Sequence, residues 1–153
     1  MTQTTLNSFN ANYLIFLQEY LKSELPQIAW IDQDMQQDAD PTRPPLAYPA
    51  LLVDFASTDF SNESAPGVFA VTTISMRLID TPASQSYADA PLSVRTDALG
   101  LYELEHRLIS ALHGWTPDDG FAQPLSILSS VSGRADSKLR IRVLTFATAY
   151  EML

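Results

Sequence analysis

The chain of 153 residues contains no cysteine. Disulfides and thiolate chemistry are excluded, and cysteine usage leaves the redox compartment open. Glycine is scarce: five residues in all, a thin supply for loops that cradle phosphate. No Walker motif, G-x-G-x-x-G, G-x-S-x-G or H-E-x-x-H is present. Basic residues are few, nine against 18 acids, for a formal net charge of -9. Nucleic-acid affinity rests mainly on neutralising phosphates, so such a chain is a poor partner for them. It is equally poor for anionic lipid surfaces. No apolar run approaches the roughly 20 residues needed to span a bilayer. The opening MTQTTLNSFN lacks the basic start and apolar run of a secretory signal. The expectation is a soluble intracellular protein with no membrane partner.

Core-forming residues are plentiful. Hydrophobic residues make up 46%, with seven Phe, six Tyr and two Trp. Disorder does not suit this composition, and the length matches one domain, 1–153. Charge is unevenly spread. Residues 1–76 hold nine acids and two bases, Lys22 and Arg43, whereas four of the nine bases fall between Arg134 and Arg142. A dipolar subunit of this kind suits head-to-tail packing.

Residues 8–25 carry Phe9, Tyr13, Phe16 and Tyr20 at helical spacing, with Ser8 as N-cap and Pro26 as stop. Ile28, Trp30 and Ile31 suit a short strand, followed by an acidic, proline-rich connection. Segments 50–56 and 68–79 read as a hairpin joined by a long polar turn, 57–67. A polar connection over 80–96 precedes an amphipathic helix over 97–113. Its Leu101, Leu104, Leu108 and Leu112 share one face, and Gly114 ends it. Segments 124–132 and 138–150 form a closing hairpin. The expected fold class is α+β: a mainly antiparallel four- to five-stranded sheet with two helices packed on it, in the order α-β-β-β-α-β-β.

Candidate chemistry is sparse. His106 and His113 share a helix face with Glu103, but seven residues separate the histidines by about 10.5 Å along the axis. A zinc ion bonds nitrogen at about 2 Å, so one ion does not reach both comfortably. Asp32 with Asp34, Asp38 with Asp40, and Asp118 with Asp119 match no calcium loop. No nucleophile, cofactor site or metal site stands out, and the expectation is a non-enzyme with no cofactor. Asp54 sits in a strand opposite the Leu51, Val53 and Phe55 face, as a solvated residue or an interface ion-pair partner. Arg140 and Arg142 project from one strand face about 6.7 Å apart. No interleaved aromatics accompany them, so pairing with acids of the same or a neighbouring subunit is expected.

The last strand carries the main argument for assembly. Early on, Leu139, Ile141 and Val143 face one way and Arg140 and Arg142 the other, so one side reads as wet. Further along, Leu144 and Phe146 make both sides apolar. A strand apolar on both sides is covered on both, by a helix or by another subunit.

The order of elements, together with LISALHG, PLSILSSVSG and KLRIRVLTFATAYE in the carboxyl half and YPALLVDFAS and GVFAVTTISMRLID in the amino half, resembles the tail completion and tail terminator proteins of long-tailed bacteriophages. The resemblance runs from about Ser8 to Glu151 and lies in layout and texture. It implies a structural virion or prophage protein whose α+β subunits close into a ring, commonly a hexamer. Such a ring ends polymerisation of the tail tube or joins tail to head, and it leaves a channel through which DNA passes without sequence-specific binding. The implied partners are further copies, the tail tube protein and head-completion or neck proteins. The implied location is the virion tail or neck, with assembly in the host cytoplasm. Interface elements would lie at 50–56, 68–79 and 144–150, with 57–67 as an arm. Candidate interface residues are Asp54, Phe69, Val71, Arg140, Arg142, Leu144, Phe146 and Tyr150. Two other readings stand beside this one. The first is a non-catalytic adaptor of another intracellular complex. The second is a small enzyme with a site built from Asp54 and His106 or His113.

Overall fold

The computed structural model describes residues 4–40, 42, 45–62, 67–81, 84–117, 120–133 and 139–152. Helix α1 spans Phe9–Glu24. The Ser8 hydroxyl accepts a hydrogen bond from the Ala11 N–H at 3.3 Å and caps the first turn. The stripe read from the sequence buries Tyr13, Leu17 and Leu21 fully, while Phe9 and Tyr20 pack at its margin.

Among the described residues five strands form one sheet in the order β1-β2-β3-β5-β4: β1 Trp30–Gln33, β2 Ala50–Ser61, β3 Val68–Asp80, β4 Ser126–Ser132 and β5 Arg140–Met152. All neighbours are antiparallel except β1 and β2, which run parallel in the register Trp30 to Ala50 through Gln33 to Val53. A parallel neighbour needs a long crossover, and the acidic, proline-rich segment 34–49 supplies it.

The α+β class and the order of elements agree with the sequence reading, and two details differ. Strand β2 continues beyond residue 56 to Ser61, with a bulge between Phe55 and Ser57. The polar residues 57–61 alternate across two faces, which β geometry accommodates as readily as apolar ones. The tip of the expected arm, 63–66, lies outside the described residues. The 80–96 connection contains a short helix, α2 (Leu92–Ala98), set off from α3 (Gly100–Leu112) by Leu99. The described residues thus hold three helices rather than two. Here local hydrogen bonding, with the Arg95 Nε donating to the Ala90 carbonyl at 2.9 Å, overrides the polar look of the segment.

Helices α1 and α3 cover one face of the sheet. Leu101, Leu104, Leu108 and Leu112 meet Val53, Ile74, Met76, Leu144 and Phe146 in the main core. The Tyr20 hydroxyl donates to the Ala111 carbonyl at 2.7 Å, joining the two helices. Among the described residues no helix is long and apolar enough to cross a membrane.

Gly133 follows β4, and its N–H donates to the Ile141 carbonyl at 2.9 Å. A Cβ at this position would lie 2.5 Å from Ile141 Cγ2 and 2.8 Å from Ile141 Cβ. The second contact is close to the backbone, so a rotamer change does not relieve it. Gly133→Ala is expected to destabilise the fold by about 1–3 kcal/mol, the usual cost of overpacking. Chemical denaturation would read this as a lowered midpoint at unchanged slope.

Candidate assembly surfaces

Strand alternation gives the sheet two unlike faces. Opposite the helices, the near half of the second face carries Ala50, Leu52, Ile79 and Ile141, all buried. The 34–49 crossover covers them through Leu46 and Tyr48. Arg77, also on this face, fastens the crossover. Its Nε and Nη2 donate to Asp34 at 2.7 and 2.8 Å, and its Nη1 and Nη2 donate to Asp38 at 3.1 and 2.8 Å. Hydrogen bonding from Arg77 holds the Asp34 carboxyl below its ordinary value, and Asp34 in turn raises the guanidinium. Buried Gln37 adds to the clasp, donating to the Gln33 carbonyl at 3.1 Å and accepting from the Met35 N–H at 2.8 Å. Residue-by-residue reading missed this clasp. Its signal was a lone arginine inside the apolar run VFAVTTISMRLI, facing a crossover rich in aspartate.

Among the described residues the far half of the second face has no such cover. By register it carries Asp54, Ser57 and Asp59 from β2, Val71, Thr73 and Ser75 from β3, and Thr145, Ala147 and Ala149 from β5. Asp54, Ser57, Asp59 and Val71 are exposed, and the others are half-buried by their neighbours. Small and hydroxyl side chains make this half flat. Its charge is negative, from Asp54, Asp59 and Glu151.

The candidate interface residues fall into three groups. Asp54 and Val71 lie on this open surface, with Phe69 half-buried at its far end beside Glu151. Leu144 and Phe146 do not. Both are fully buried beneath α1 and α3, so on this side of β5 the cover is a helix layer of the same subunit, one of the two alternatives read from the sequence. Tyr150 is half-buried and stacks on Phe9, with ring centroids 3.7 Å apart and 7° between the planes. It borders an open cleft of about 530 Å³ that also includes Phe60 and Phe121.

Arg140 and Arg142 point toward the helix layer, and the early side of β5 is not wet as expected. Arg142 donates to Glu105 at 2.7 Å and to Ser130 Oγ at 2.9 Å, and lies over the Tyr102 ring. Arg140 donates to the Ala98 carbonyl, and its buried Nε has no partner among the described residues. Arg134 and Lys138 lie outside the described residues.

The histidines occupy separate settings. His106 is exposed on α3. His113, just past the end of α3, accepts a hydrogen bond from the Ile127 N–H at 3.2 Å through Nδ1. Asp54 is on the opposite face of the sheet from both. Among the described residues no three His, Asp or Glu side chains gather as a metal would require.

The fold has a counterpart of virion origin. A chain from the structure described as "Virion of native gene transfer agent (GTA) particle" superposes with a TM-score of 0.55 at 17% identity, covering 95% of this chain and 100% of that one. The two chains share a fold. No family model and no curated protein matches this sequence.

Proposed function

We propose that this protein is a structural component of a phage-like particle that closes into a ring at the end of the tail tube or at the head–tail junction. The observation carrying this reading is the fold likeness to a virion chain along essentially the full length of both chains. It joins the resemblance in layout to tail terminator proteins. In this reading the ring ends tube polymerisation, contacts the tail tube and head-completion proteins, and leaves a passage for DNA.

The charge pattern agrees. Two of the described arginines of the sheet are paired internally with acids, Arg77 with Asp34 and Asp38 and Arg142 with Glu105. The open half-face carries acids and hydroxyls and no described base. A surface of that sign repels a DNA backbone and lets it slide.

Native mass spectrometry of the purified chain, alone and with a tail tube protein, tests the proposal. The expected result is a closed oligomer of one discrete mass and tubes that stop growing when it is added. A strict monomer under both conditions, with tube growth unaffected, overturns it. Binding only to unrelated cytoplasmic proteins would favour the adaptor reading.

A further inference from the structure

Among the described residues two stretches of sheet edge have no neighbouring strand, and they lie on opposite sides of the sheet. Strand β1 pairs with only the first four residues of β2, Ala50 to Val53. From Asp54 to Ser61 no described strand runs along the outer edge of β2, and no described backbone group bonds to it. The other vacancy is β4, the last strand in the order. Its only described edge contact is the His113 ring at the Ile127 N–H. The vacant part of β2 has eight residues and β4 has seven, so each is about 25 Å long at the usual rise of a strand.

We propose that copies of this chain join by edge-to-edge β pairing. Strand β4 of one copy adds to the 54–61 edge of β2 in the next, end to end with that copy's β1. This inference rests on the ring reading and names the surfaces that would close the ring.

Strand directions permit the pairing. β2 and β5 run one way, and β3 and β4 run the other. When copies keep the same face toward a common axis, β4 meets the next β2 antiparallel, which is the more stable arrangement. Two different edges make the contact heterologous, and a heterologous contact that closes gives a ring.

The edges lack two of the usual blocks. Neither SILSSVS in β4 nor DFASTDFS in β2 contains lysine or proline, the residues that commonly block edge pairing. Each has one bulge, between Ile127 and Ser129 and between Phe55 and Ser57, which restricts pairing to a partner of matching shape. Leu128 and Val131 of β4 are 58% and 53% exposed, and Phe60 at the far end of β2 is 55% exposed. Pairing would cover these apolar groups. The short edge at β1 is less available, because Gln18 of α1 already donates to the Ile31 carbonyl at 2.9 Å. Charge does not oppose the contact: the vacant β2 edge carries Asp54 and Asp59, and β4 carries no acid to repel them.

The absence of native cysteine makes the test direct, since introduced thiols report only on themselves. Two double variants of the full chain, Ser129→Cys with Ser57→Cys and Ser129→Cys with Asp59→Cys, cover neighbouring registers on one face. Ser129→Cys with His106→Cys is the control. Each is oxidised with and without tail tube protein and read by non-reducing electrophoresis, with native mass spectrometry on the same sample. The expected result is a covalent ladder ending at the ring mass in at least one β2–β4 pair and none in the control. Leu128→Asp, which sets a carboxylate against the acidic β2 edge, is expected to lower the ring population at least tenfold with the monomer's circular dichroism unchanged. A ring by mass with no ladder, and with Leu128→Asp assembling normally, overturns the edge pairing and leaves the ring reading standing. No assembled species under any condition overturns both.

Discussion

Replacing Arg77 by alanine is expected to lower the stability of the isolated subunit by about 3 kcal/mol, the scale seen when one partner of a largely buried ion pair is removed. The guanidinium and its two partners are mostly shielded, with side-chain exposures of 20% for Arg77, 13% for Asp34 and 7% for Asp38. Alanine would leave both carboxylates facing the sheet with no counter-charge. The loss would also free the 34–49 crossover from the second face. Leu46, Ala50, Leu52, Ile79 and Ile141 would then be open to solvent. Urea denaturation and binding of a hydrophobic dye would record the two effects.

The pH dependence follows from the direction of the Asp34 shift. Its folded-state value is depressed, with hydrogen bonding from Arg77 as the largest cause. A depressed carboxyl contributes stability that is fully present above the unfolded value, about 3.9 for Asp. That contribution is lost as pH falls through the folded value. The difference between the parent and Arg77→Ala should therefore be constant near neutrality and shrink below about pH 4. A difference independent of pH down to the acid transition would show that Arg77 acts through packing alone.

Phe146→Ala is expected to cost about 3–5 kcal/mol, the range for deleting a buried aromatic ring. Phe146 is fully buried in the main core beneath α1 and α3, paired across the sheet with Ile74 on one side and Ile127 on the other. For a chain of this size the loss lowers the melting temperature by on the order of 10 °C. Phe60→Ala is the informative comparison. Phe60 is 55% exposed, and its removal should change monomer stability by no more than about 0.5 kcal/mol. Calorimetry on dilute monomer separates the cases. If Phe146→Ala left the monomer unchanged and weakened only assembly, Phe146 would belong to an interface and its place in the core would be wrong.

That contrast shows where residue patterns stop being informative. Apolarity on both sides of late β5 reads as two covered faces, and Leu144 and Phe146 are indeed covered. A pattern along one strand does not identify what does the covering. Here it is α1 and α3 of the same subunit, while Ala147 and Ala149 on the other side are small enough to sit in a largely open sheet face. The basic residues of β5 raise the same problem. Spacing placed Arg140 and Arg142 on one face, but only packing shows that this face lies under α3, where Glu105 and Ser130 meet Arg142.

Local order, by contrast, was set by local chemistry. The helical spacing of Tyr13, Leu17 and Leu21, the leucine ladder of α3, the stop at Gly114 and the alternation of β2, β3 and β5 all come from neighbours within a turn or a strand. The sequence by itself therefore determined the α+β class, the succession of elements and the absence of thiol chemistry. The tertiary structure decided the parallel placement of β1, the clasp of Arg77 on Asp34 and Asp38, and which edges of the sheet stay open. Those depend on contacts between residues far apart in the chain. Whether a side chain is buried, paired or free is fixed by what the fold brings against it.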